Sequence, residues 1–277
     1  MANKWKSNRK KSFKTDKKES LDLDLSISGS NSFLAKSTDD AKSDTLSRMV
    51  ASTKQIENMK DILLLDENEL SSKKIISTKM GDHKVPDRFR ELRTTLLNVS
   101  KNKNFMLMVT SICKSGGASV VATNLAAAFS FDDSKTSLLI DCNLRNPKLD
   151  KLFNIDNKSG LTNYLEDRGV GIEQIIVDTG IKRLRLITAG ENKESTSEYF
   201  TSARMMDFLN KIKERYPDRY IIIDAPPIGD SADATILSEL CDFVIAVVPY
   251  GKVTVPTIEK SLKTIDKNKL VGVVFNN

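Results

Sequence analysis

The segment Phe105-Met-Leu-Met-Val-Thr-Ser-Ile-Cys-Lys-Ser-Gly-Gly-Ala-Ser-Val-Val-Ala-Thr-Asn-Leu-Ala-Ala-Ala-Phe129 changes character midway. It begins with a short apolar run, Phe105 to Thr110, and passes through a polar, glycine-containing turn. It then becomes a mostly apolar, alanine-rich stretch from Ala118 to Phe129. The pattern predicts a buried strand, a loop and a helix. A glycine-containing turn at a helix N-terminus is suited to phosphate, because unpaired backbone N–H groups and the helix dipole both point at the anion. Taken alone, Thr110 to Ser119 is equally well explained as an ordinary strand-to-helix turn.

The same alternation repeats on the C-terminal side. Apolar runs at Ser137 to Asp141, Leu184 to Thr188, Tyr220 to Asp224, Phe243 to Val248 and Leu270 to Phe275 are separated by helical stretches such as Ser202 to Arg215. Strands alternating with helices predict an α/β fold, a mostly parallel sheet with helices on both faces. Ligands of such sheets bind at the carboxyl ends of the strands. Two of those ends carry an acid, Asp141 and Asp224. A lone strand-end aspartate is usually a cap or turn former. Two beside a phosphate loop are what a Mg²⁺ ion bridging phosphate oxygens requires.

Composition narrows the chemistry. The chain has 277 residues, 39% apolar and 29% charged, and a single histidine, His83. Multi-histidine metal centres and Ser/His/Asp triads are therefore set aside. Cys113, Cys142 and Cys241 are few and scattered, which suits reduced thiols in a cytosolic protein. No run approaches the ~20 apolar residues of a membrane span. The net charge of +6 is contained within residues 1–20, where eight basic residues face only Asp16 and Glu19. The remainder is neutral overall, which argues against a nucleic-acid-binding core. Residues 1–45 read as a disordered basic tail and linker. Residues 46–84 read as an amphipathic helix and linker, with Leu46, Met49, Val50, Ile56, Met59, Ile62 and Leu63 on one face. Residues 85–277 read as the folded domain. Trp5, Phe13 and the lysines of residues 1–20 suit an anionic membrane surface.

Four stretches make the site specific. Asp87-Arg-Phe-Arg-Glu-Leu-Arg-Thr-Thr-Leu96, Val109 to Ala126, Leu138 to Pro147 followed by Gly160-Leu-Thr-Asn-Tyr-Leu165, and Tyr220 to Pro227 with Ser231-Ala-Asp233 resemble, in order and spacing, the bacterial tyrosine-kinase family. These kinases are P-loop relatives of partition and division-site ATPases. The resemblance implies a P-loop NTPase-like fold that binds ATP or ADP with Mg²⁺. Ser119, Asp141 and Asp224 would face the metal, with Asp141 and Asp224 in the catalytic roles. Ser115, Gly116, Gly117, Ala118, Ser119, Val120, Arg145 and Asn276 would line the nucleotide site. It further implies self-association into a ring through Asp87, Arg90 and Arg93. The implied setting is the cytoplasmic face of the membrane, beside a polysaccharide co-polymerase that drives capsule or exopolysaccharide export.

The departures fall on the chemistry. Ala118 stands where the family has its phosphate lysine, Ser115 where it has a glycine, Val120 where a hydroxyl is common, and Asn143 where it has an aspartate. Lys114 is the nearby substitute, four residues early. Family kinases commonly continue into a tyrosine cluster, whereas Tyr164, Tyr199, Tyr216, Tyr220 and Tyr250 all lie inside the predicted domain. The expectation is a catalytically impaired, regulatory kinase-like protein, a pseudokinase. An active tyrosine kinase using Lys114 and a membrane-recruited scaffold or positioning ATPase are the alternatives.

Overall fold

A computed structural model describes residues 64–156, 159–191, 195–215, 218–230 and 232–277. The basic tail, the apolar positions before residue 64, Tyr216 and Ser231 lie outside the described residues. The chain enters through α1 (Glu67–Ser72) and α2 (Lys84–Val99), then alternates β1 (Met106–Ser111), α3 (Ala118–Ser130), β2 (Thr136–Asp141) and α4 (Leu149–Phe153). There follow α5 (Leu161–Glu166), α6 (Ile172–Ile175), β3 (Ile176–Asp178), β4 (Leu184–Ile187), α7 (Thr196–Thr201) and α8 (Ala203–Arg215). The last elements are β5 (Arg219–Asp224), α9 (Asp233–Leu240), β6 (Phe243–Pro249), α10 (Val255–Leu262) and β7 (Leu270–Asn276).

The strands form one seven-stranded sheet in the order β3-β4-β2-β5-β1-β6-β7. Each neighbouring pair is parallel except β3 with β4. The predicted α/β class and all six predicted strands are present. The antiparallel β3 was not expected, because three partly exposed residues carry no readable apolar period. In the central strands alternate residues serve the two faces. Met106 and Met108 join one core layer with Phe200 and Phe208, while Leu107 and Val109 join another with α3. Strands covered on both sides must be apolar throughout, which is why β1, β2 and β5 read as unbroken runs.

α3 is buried almost all round. Its Ala122, Ala126, Ala127 and Ala128 let the helix lie close against the sheet, with Phe129 at its far end. There Phe129 and Tyr220 have ring centroids 4.5 Å apart, and Phe105 touches both. This aromatic group closes the amino ends of β1 and β5, so the carboxyl ends are where loops open.

The stretch before α2 is more than a spacer: Ile75 and Ile76 are buried under α3. Asn124 holds them there, its Oδ1 accepting from Ile76 N–H at 2.7 Å and its Nδ2 donating to the carbonyls of Lys74 and Val120. Asn124→Ala strands the buried Ile76 amide, so a loss of about 1 to 2 kcal/mol is expected. Chemical denaturation measures it, and an unchanged midpoint would show the clamp to be idle.

Candidate phosphate-binding site

Parallel register brings the two acids together. Asp141 and Asp224 are direct partners on β2 and β5, and β1 lies on the other side of β5. The three loops leaving these strands enclose a cleft of about 610 Å³. Its walls include Ser115 to Val120 from the first loop, Asn143, Arg145 and Lys148 from the second, and Ala225 to Pro227 with Asp230 from the third. Thr110 ties the first loop to the third by donating to the Pro226 carbonyl at 2.7 Å.

The first loop has the geometry of an anion cradle. Gly117 caps α3 at φ +94° with no side-chain cap. The N–H groups of Gly116 to Val120 donate to no acceptor among the described residues, so the helix presents unpaired donors to the cleft. Gly117 is required by its surroundings as well as its φ: a Cβ there would lie 2.1 Å from Asn276 Nδ2. That amide donates to the Gly116 carbonyl at 3.3 Å. Asn276 therefore braces the loop from behind and is absent from the cleft lining, although the resemblance placed it among the nucleotide-binding residues. Ser115 holds φ +55°, a left-handed conformation that a side chain disfavours. Ser115→Gly is expected to stabilise the protein by up to about 1 kcal/mol, read from thermal melts; a lower melting temperature would contradict that.

The two acids divide their tasks. Asp141 is buried and fully engaged: Oδ1 accepts from Asn143 N–H, and Oδ2 from the N–H groups of Lys148 and Leu149, each at 3.1 Å. It shapes the second loop and caps α4. Burial raises its pKa to about 6 despite those three donors. Asp224 is equally buried, but neither oxygen has a hydrogen-bond partner. Burial and then the adjacent Asp141 charge push Asp224 well above the usual carboxylate range, and the nearby Ser119 hydroxyl and Lys148 charge offset this only in part.

An orphaned buried carboxylate beside a hydroxyl at the phosphate loop is a donor set that a hydrated Mg²⁺ accepts, since this ion takes oxygen ligands and keeps several waters. Ser119 and Asp224 fit it, with Asp141 behind. No group of three or more His, Cys, Asp or Glu able to hold a metal unaided occurs among the described residues. Such an ion would thus depend on phosphate oxygens as well.

Ala118, 7% exposed, contributes only a methyl group where the resemblance requires an ammonium. Asn143 and Val120 also line the cleft. Lys114 reaches its rim, but its side chain is 84% exposed and lies 4.0 Å from Asp230. Arg145 is anchored, its Nε donating to Asp233 at 2.9 Å and to Thr196 at 3.0 Å. Asp233 is buried and also accepts from Thr196 and Ser197. Sequence reasoning assigned Asp233 and Lys148 no role at the site, although Asp233 ends one of the quoted stretches and Lys148 directly follows another. On α2, Asp87 and Arg90 pair with each other at 2.6 Å, and Arg93 donates to the Ala128 carbonyl at 2.7 Å within its own chain.

No family model matches the chain. Tyrosine-protein kinase YwqD of Bacillus subtilis is 31% identical over 193 residues, covering 69% of this chain and 80% of the relative. Tyrosine-protein kinase CpsD of Streptococcus agalactiae serotype III is 29% identical over 205 residues, covering 73% and 87%. Among solved structures, the chimerical protein CapA2B2 superposes with a TM-score of 0.67 at 25% identity over 78% of this chain and 93% of that one. The BceF tyrosine kinase domain gives 0.63 at 26% identity over 83% and 88%.

Proposed function

This chain belongs to the bacterial tyrosine kinase family, and from that premise we propose that it is a regulatory member, one that binds Mg²⁺-ATP or ADP yet transfers phosphate slowly. One observation carries the reading: the cleft keeps its unpaired N–H groups, Ser119 and the orphaned Asp224, while a buried alanine replaces the phosphate lysine. The backbone donors would hold the phosphates. Ser119 and Asp224 would hold the metal, which supplies charge neutralisation when bound. Asp141 would keep the second loop in place, and Arg145, fixed by Asp233, would face the nucleotide.

What is missing is charge at the transferring group. Removing one partner of a desolvated charge pair costs about 2 to 5 kcal/mol, and Asn143 offers an oxygen without a charge. Exposure of Lys114 and its carboxylate neighbour speak against its doing the lysine's work. We place the protein at the inner face of the membrane, self-associating and serving capsule or exopolysaccharide assembly beside a membrane co-polymerase.

Two experiments test this. Incubation with Mg²⁺ and γ-labelled ATP should leave the protein and a tyrosine-containing peptide almost unlabelled; rapid autophosphorylation would overturn the impaired reading. Deleting the gene should change the amount or chain length of surface polysaccharide, and an unaltered coat would remove the pathway assignment.

A further inference from the structure

Three cations line the cleft, and two of them have a carboxylate partner. Arg145 is held by Asp233, and Lys114 sits at the rim facing Asp230. The third, Lys148, has an ammonium group with no ion pair or hydrogen bond among the described residues. Its backbone is nonetheless fixed: its N–H and that of the buried Leu149 both donate to Asp141 Oδ2 at 3.1 Å. The side chain therefore starts beside the acid pair, where a metal and terminal phosphates would gather, and it forms part of the cleft wall.

We propose that Lys148, on the loop after β2, supplies to the terminal phosphates of a bound nucleotide the positive charge that Ala118 cannot. The inference rests on the reading that the cleft binds a nucleoside di- or triphosphate. Support comes from placement: Lys148 lines the same cleft as Ser115 to Val120, and its backbone is tied to Asp141. A lysine on a flexible stem, approaching from a neighbouring loop, gives a compact point charge and no shaped fork. It would aid phosphate binding more than it aids transfer, consistent with a site that binds but turns over slowly.

Calorimetric titration with ATP, ADP and AMP in Mg²⁺ tests this on the full chain and on Lys148→Ala, Lys148→Arg and Lys114→Ala. Lys148 is exposed at the surface, so the variants should fold as the parent does, which thermal melts without nucleotide check. Lys148→Ala should weaken ATP and ADP about tenfold, or ~1.4 kcal/mol, while AMP changes little. Lys148→Arg should retain most of the affinity, and Lys114→Ala should lose less than about threefold. If the parent binds ATP and Lys148→Ala binds it equally well, this inference is overturned and the functional reading stands. If Lys114→Ala alone loses affinity, Lys114 holds the phosphates and the inference is likewise wrong. A parent that binds none of the three nucleotides removes the inference and the functional reading together.

Discussion

Ala118→Lys is expected to raise ATP-dependent tyrosine phosphorylation by roughly 30-fold to several thousandfold, the rate equivalent of about 2 to 5 kcal/mol spent on charge in the transition state. Ala118 is the first residue of α3 and lines the cleft, and Gly117 before it already has the conformation the loop needs. Placing a cation at a helix N-terminus costs about 0.3 to 1 kcal/mol, so a small loss of stability should accompany the gain in rate. Ala118→Met supplies the control, adding the stem without the charge, and should leave the rate unchanged. Adding Asn143→Asp to Ala118→Lys should raise the rate further. If Ala118→Lys labels no faster than the parent, the missing ammonium is not what limits the site.

Asp224→Asn is expected to weaken binding while making the nucleotide-free protein more stable, by up to about 2 kcal/mol near neutral pH. Its two oxygens are buried without a hydrogen-bond partner, and burial with the Asp141 charge raises its pKa in the folded chain. A group of this sign contributes its full stability below the unfolded carboxylate pKa, about 3.9, and loses it as pH rises through the folded value. At pH 7 the penalty is capped near three pH units of 1.36 kcal/mol, or about 4 kcal/mol. The unmet hydrogen bonds of the introduced amide reduce the gain to about half of that. The advantage of the variant should therefore shrink as the pH falls from 7 toward 4, measurable by denaturant titration at several pH values. Mg²⁺ should cease to strengthen ATP binding in the same variant. A variant less stable than the parent at neutral pH would mean that Asp224 serves the fold and not the ligand.

The fold was legible where burial forces a simple pattern. Strands packed on both faces must be apolar along their length, so β1, β2, β5 and β6 are visible as runs, and the phosphate loop is marked by its glycines. The acids were legible by position, since both end such runs, but their division of labour was not. That depends on which backbone N–H groups fold back onto each, and Asp141 takes three while Asp224 takes none. Arg145 and Asp233 meet across 88 residues of sequence, and Asn276 reaches Gly116 across 160. No local spacing encodes such contacts. The Arg93 contact is of the same kind, its guanidinium donating to Ala128 O 35 residues away. β3 escaped because a three-residue edge strand with partial burial leaves no period to detect.

The central claim, a cleft that keeps its nucleotide but lacks the charge to use it, is tested most directly by calorimetric titration of the unmodified chain with ATP, with and without Mg²⁺, followed by assay of the same sample for phosphotyrosine. Saturable, Mg²⁺-dependent binding in the range of about 10 µM to 1 mM, with no phosphotyrosine accumulating, is the expected result. The absence of any binding, or tight binding accompanied by rapid autophosphorylation, would contradict it.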